Sequence, residues 1–126
     1  MSPATSFVGA RLAAIATGIR ADMLSSDVIK QTARLILDTL GCAIAAVRAT
    51  PCKQVRCVAD ELGGRAESSV IGQSARTSCT LAALVNGTLL RFLDSNDYYF
   101  GRDPAHASGN LAAALAVRSE EHTSEL

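Results

Sequence analysis

Tryptophan is absent from this 126-residue chain, and two tyrosines and three phenylalanines are its only aromatic residues. So few aromatics, set beside 48% hydrophobic residues rich in alanine and leucine, disfavour a β-sandwich and suit closely packed helices. Net charge is missing too: 12 Lys and Arg oppose 12 Asp and Glu, spread along the chain. No basic stripe offers itself to a phosphate backbone, so no nucleic-acid partner is expected. Nor is there an apolar run of the ~18 to 20 residues that cross a bilayer. One uncharged stretch, Thr77 to Leu90, includes Asn86 and Gly87, and no membrane partner is expected. The run LAAIATGI has only Arg11 before it and Arg20 directly after it, which is not the charge pattern of a signal peptide. Cys42, Cys52, Cys57 and Cys79 form no CxxC pair and lack a nearby histidine, so zinc is not expected. Cys42 lies in an apolar helical stretch and reads as a small hydrophobe. With nothing else pointing to export, the expected compartment is the reducing cytoplasm.

What is present fits one folded all-α domain. Val8, Leu12, Ile15 and Ile19 give the segment Ser6 to Ile19 one apolar face and predict a first helix. Ser25 and Ser26 are N-cap types, with Asp27 at the positive end of the helix that follows. That long helix carries Val28, Ile29, Leu35, Ile36, Leu40, Ala43, Ile44 and Val47 and reads as the core of the chain. Thr50 and Pro51 predict an N-cap and first residue for a short, half-exposed third helix, stopped by Gly63 and Gly64. SSVIG, Ser68 to Gly72, suits a brief extended segment, with no second strand in view to found a sheet. Helix resumes near Ser78 in CTLAALVNGTLLRFLD, apolar nearly all round, with Asn86 and Gly87 as an interruption where a neighbour approaches. Asn86-Gly87-Thr88 matches a glycosylation sequon, set aside because the helix reads as buried. A last alanine-rich helix begins near Asn110.

Between these last two helices lies LDSNDYYFGRDPAHASGN, residues 93 to 110, the polar exception in an apolar neighbourhood. A polar loop anchored at both ends by buried helices is a common place for catalytic groups. Spacing alone favours a plainer reading, in which Asp94 and Asp97 cap helices or make Asx turns and His106 is a solvated loop residue. A loop that only caps helices would suit a non-catalytic helical interaction module. No GxSxG, HExxH, Walker loop or GxGxxG suggests another chemistry.

The tail RSEEHTSEL, Arg118 to Leu126, breaks from the preceding apolar pattern. One reading frame of AGATCGGAAGAGCACACGTCTGAACTC, a string similar to a widely used sequencing adapter, encodes those same nine residues. The expected division is therefore a native portion, residues 1 to 117, and a non-native tail, residues 118 to 126, which removes His122 and leaves His106 as the native histidine.

The run VNGTLLRFLDSNDYYFGRDPAHASGNLAAALAV resembles the MmgE/PrpD family, in which an Asn-Gly helix leads to an LDFND-type segment and then to HPSDN opening an alanine-rich helix. ARLILDTLGCAIAA is similar to that family's first long helix, and the resemblance reaches from about residue 7 to Val117. It implies the N-terminal portion of a large all-helical domain, truncated here, that a smaller α+β domain completes in a homodimer. The implied activity is that of a lyase on small polycarboxylates, without metal or other cofactor, of the 2-methylcitrate dehydratase kind. A cis-aconitate decarboxylase or a related isomerase is the alternative.

Carried over by position, the first motif aspartate falls on Asp94 and the motif histidine on His106, the implied catalytic residues. Asp97 matches the second aspartate, and Arg91, one turn before Asp94, is a candidate for the substrate's carboxylates, so both are expected to bind substrate. Eliminating water from a β-hydroxy acid needs a base for the proton next to a carboxylate and an acid for the departing hydroxyl. His106 suits either role, with Asp94 orienting it or touching substrate. Three positions depart from the pattern: Ser95 replaces an aromatic, Ala107 a proline and Gly109 an aspartate. The last two loosen the turn after His106. The family's other catalytic groups fall beyond Val117, so the fragment is expected to be inactive and to expose apolar surface.

Overall fold

A computed structural model describes residues 7–124, with side chains to Ser119; Ser6, where the first helix was expected to start, lies outside them, as does the His122 side chain. The chain divides into two units, residues 1–33 and 34–126.

The first unit holds helix α1 (Val8–Gly18), a 3-10 turn at Ala21–Met23 and the first turns of α2 (Ser26–Ala46). Ser25 is the residue that caps α2, its Oγ accepting from Val28 N–H at 3.3 Å. The expected apolar face of α1 forms but is not buried: Val8, Leu12, Ile15 and Ile19 are all exposed. Periodicity creates an apolar stripe, and only a neighbour can bury it.

The second unit holds the rest of α2, α3 (Thr50–Leu62), a hairpin of β1 (Ser68–Ser69) and β2 (Arg76–Thr77), α4 (Cys79–Arg91) and α5 (Leu111–Ser124). Helix dominates, as the composition implies. Four details differ from the expectation. First, α2 is not the core: of its residues Thr39, Ala43 and Ala46 are buried, while Ile36, Leu37 and Ile44 are exposed. The core centres on α4, whose Ala82, Val85, Leu89 and Leu90 pack against α5 on one side and α3 on another. Leu90→Ala removes a buried side chain here and is expected to cost about 2–5 kcal/mol.

Second, the extended segment does find a partner, Ser68 pairing with Thr77 and Ser69 with Arg76 in antiparallel register. Two residues a side make a marginal hairpin, so its support comes from side chains. Asn86, 2% exposed, donates to Ser69 C=O at 3.0 Å and accepts from Ile71 N–H at 2.9 Å. Gly72 turns the chain at φ +79°, and a Cβ there would lie 2.9 Å from Val47 Cγ2, so both conformation and space call for glycine.

Third, Asn86 and Gly87 do not interrupt α4, which is continuous. A neighbour does come close there: a Cβ on Gly87 would touch Ala112 Cβ of α5 at 3.7 Å. Fourth, α3 begins one residue early, with Ala49 as N-cap and Thr50 and Pro51 in its first turn. No Thr50 side-chain cap bond forms, since the extended residue that an N-cap requires is Ala49. Gly63, at φ 65°, ends the helix as expected.

Helix α5 runs past Val117 to Ser124 without a break. Arg, Glu and Ser are acceptable helix residues, and propagation from an alanine-rich start is easy. Ser119 Oγ accepts from Ser69 N–H at 3.0 Å. Cys42, Cys52, Cys57 and Cys79 are all free thiols; burial pushes the Cys52 thiol up, consistent with a packing role. Among the described residues, no single helix is long and apolar enough to cross a membrane.

Candidate active site

The loop from Phe92 to His106 joins the two most tightly packed helices, and consecutive residues near its start fasten both of its ends. Asn96 Nδ2 donates back to Leu90 C=O at 2.8 Å, using a carbonyl that α4 leaves open at its C-terminus. Asp97 reaches forward, its carboxylate accepting from Ala107 N–H at 3.0 Å and Ser108 N–H at 3.1 Å. These N–H groups open the 3-10 turn Ala107–Asn110 that leads into α5. The loosening expected of Ala107 and Gly109 is countered by this capping carboxylate. Midway, Tyr99 and Ala105 exchange backbone hydrogen bonds of 2.8 and 3.2 Å and close the loop on itself.

The four expected site residues fall into two pairs. Arg91 Nη2 lies 3.5 Å from Asp94 Oδ1, with the Asp94 side chain 84% exposed. Asp94 has φ 52°, a left-handed conformation that aspartate tolerates better than most residues and that recurs where a backbone serves a site. Arg91 Nη1 and Asn96 Oδ1 are buried without a hydrogen-bond partner among the described residues. In the second pair, His106 Nδ1 sits 2.6 Å from the backbone carbonyl of Asp97. A carbonyl only accepts, so Nδ1 carries the hydrogen and neutral His106 keeps its lone pair on Nε2. The Tyr98 ring meets the imidazole edge-on, with centroids 4.9 Å apart, and stacks at a tilt on Phe100.

Among the described residues no hydrogen bond or ion pair joins Asp94 to His106. The group that orients the histidine is the Asp97 carbonyl. Burial pushes the Asp97 carboxyl up, but hydrogen bonding from Ser108 and Ala107, aided by the His106 charge, outweighs it and holds the group below the usual carboxylate range. Asn96 and Tyr98 escaped the sequence reading. An Asn just after an apolar helix is a capping signal for the first, whereas nothing local marks the second as the histidine's neighbour. A cleft of about 310 Å³ beside the hairpin, bordered by Val70, Ile71, Asn86 and Leu115, includes none of the expected site residues. Arg118 and Ser119 of the tail also line it.

Mostly helical packing around α4, with a polar loop presenting a histidine between two buried helices, defines an all-α class of domain. Comparison with known proteins specifies it: the sequence model of the MmgE/PrpD N-terminal domain matches residues 10–125, and the chain belongs to the MmgE/PrpD family. It is 32% identical over 114 residues to a probable 2-methylcitrate dehydratase of Saccharomyces cerevisiae, covering 89% of this chain and 22% of that protein. Against the 2-methylcitrate dehydratase of Salmonella typhimurium it is 33% identical over 102 residues, 75% of this chain and 20% of the relative. A cis-aconitate decarboxylase-like protein of Aspergillus oryzae is 26% identical over 113 residues, 90% of this chain and 23% of the relative. The chain thus spans about a fifth of the length of these relatives.

Proposed function

We propose that this chain is the N-terminal part of a lyase that acts on small polycarboxylates, of the 2-methylcitrate dehydratase kind, eliminating water by side-chain acid and base chemistry. The observation that carries the reading is the family match across residues 10–125, which takes in the whole loop, together with the names of the relatives. His106 is the proton-transfer group, working from Nε2; Asp94 contacts substrate from its exposed, left-handed position. Arg91, whose side chain is 37% exposed beside Asp94, receives a substrate carboxylate. Base and acid are supplied by side chains without metal or other cofactor, the reaction partners contributed by later parts of a longer chain. The whole protein is a cytoplasmic homodimer, and the 126-residue chain alone is inactive.

The test is a full-length reading frame expressed and incubated with 2-methylcitrate, citrate and cis-aconitate, following alkene absorbance and released carbon dioxide. Turnover of 2-methylcitrate to alkene is expected, with His106→Ala and Asp94→Asn each lowering it by about 100-fold or more. Near-normal turnover in both variants overturns the assignment. Carbon dioxide from cis-aconitate would instead favour the decarboxylase reading that the Aspergillus relative suggests. The same proposal divides the chain: residues 1–117 are a partial N-terminal helical domain and Arg118–Leu126 translates an adapter. The continuity of α5 reflects helix propensity and does not bear on origin. An uninterrupted genomic frame through RSEEHTSEL would refute it.

A further inference from the structure

We infer that Asp97 is a positioning residue for His106 and not a ligand of the substrate: its carboxylate pins the turn that carries the histidine, while its main-chain carbonyl holds the imidazole with Nδ1 protonated and Nε2 free. The inference rests on the reading of His106 as the proton-transfer group.

Three observations carry it. Both carboxylate oxygens are already in use, Oδ2 accepting from Ala107 N–H at 3.0 Å and Oδ1 from Ser108 N–H at 3.1 Å. The same residue closes a second link through its backbone, 2.6 Å from His106 Nδ1. Residues 97 and 106 are therefore tied twice, once through the ring of His106 and once through the amides that directly follow it. Displacing the carboxylate would free the backbone whose carbonyl meets the ring. Third, a polycarboxylate is an anion, and the contacts of Asp97 favour its own charged form. Two like charges in contact repel, so this carboxylate is a poor group to receive the substrate.

The arrangement also compensates for the local sequence. Ala107 and Gly109 give the turn after His106 little intrinsic stiffness, and a capping carboxylate supplies it from nine residues before the histidine. Tyr98, adjacent to Asp97, meets the imidazole edge-on at 4.9 Å and limits its rotation. Nε2 has no hydrogen-bond partner among the described residues. A histidine held this way presents one lone pair in one direction, the requirement for a base that must meet a single carbon-bound proton.

The experiment reads the tautomer directly. The 126-residue chain, labelled with nitrogen-15, is examined by long-range proton–nitrogen correlation above the histidine titration, with His122→Gln used to assign the two rings. His106 in the otherwise unaltered chain is expected to show the Nδ1–H form; a dominant Nε2–H form overturns the inference whatever the variants do. Asp97→Asn keeps an accepting side-chain oxygen and is expected to retain the Nδ1–H form. In Asp97→Ala the Nε2–H population should rise several-fold, and amide exchange at Ala107 and Ser108 should quicken about tenfold. Faster exchange with an unchanged tautomer would show a cap that does not position the ring, and would overturn the proposal. Loss of the Nδ1–H form in Asp97→Asn as well as in Asp97→Ala would also support the inference, because asparagine offers one accepting oxygen where the carboxylate uses two. None of these measurements uses turnover, so an inactive full-length protein would sink the lyase reading separately.

Discussion

Asp94 and Asp97 stand three residues apart in one loop and have opposite circumstances. Asp94 is exposed, sits at a positive φ and faces a single arginine at 3.5 Å. Asp97 is half-buried, and its oxygens receive two backbone N–H groups. The first is exposed with one charged partner; the second has both carboxylate oxygens engaged by backbone N–H groups. A carboxylate's chemical identity is thus a poor guide to its role until its partners are known, because a cap and a substrate contact use the same lone pairs.

The contrast can be broken most readily at Asp97. Asp97→Ala leaves two N–H groups without their acceptor and is expected to destabilise the chain by about 1–2 kcal/mol, measured by chemical denaturation. Asp97→Asn should recover most of that loss. Next in size is Asp94→Val, which forces a β-branched residue into the left-handed region and should cost about 1–2 kcal/mol. Asp94→Gly, which relaxes that conformation, should be neutral or slightly stabilising; a loss as large as that of Asp97→Ala would erase the distinction.

Acid sharpens the comparison. The folded-state carboxyl of Asp97 is depressed, so its contribution is fully present above the unfolded carboxylate range, about pH 3.9. It is lost as pH falls below that range through the lower folded value. Exchange protection of the Ala107 and Ser108 amides should therefore persist to about pH 4 and fail below it. Protection lost well above that range would show that the cap does not depend on the charge. The smallest effect belongs to the exposed Arg91–Asp94 pair, where raising the salt concentration should change stability by less than about 0.5 kcal/mol.

Much of this was legible in the sequence, and the limits are specific. Ser25 reads as a cap and is one, since an N-cap bond lies within three residues. Gly63 stops α3 for an equally local reason. The place of the core was not legible. The apolar pattern of α2 is as good as that of α4, yet Leu37 is 74% exposed and Leu90 is 1% exposed. The hairpin was missed because two-residue strands carry no periodicity, and because its support comes from Asn86, 15 and 17 residues away. In the loop, the residue types were legible and the pairing was not: Asp94 was expected either to orient His106 or to touch substrate, and the group that meets the imidazole is the backbone of Asp97. A main-chain carbonyl is common to every residue and leaves no mark on sequence.

By itself, then, the sequence determined the helical class, most helix limits, the polar loop with its histidine and the family to which the chain belongs. Each of these rests on chemistry within a turn or two of the residue concerned, or on a motif read in order. Only the tertiary structure decided which apolar face is buried, which strand pairs with which, and which aspartate has its carboxylate engaged by backbone N–H groups. Those outcomes depend on contacts between residues from nine to more than fifty positions apart, and a side chain's partners at that range are set by how the helices pack and not by its neighbours in the chain.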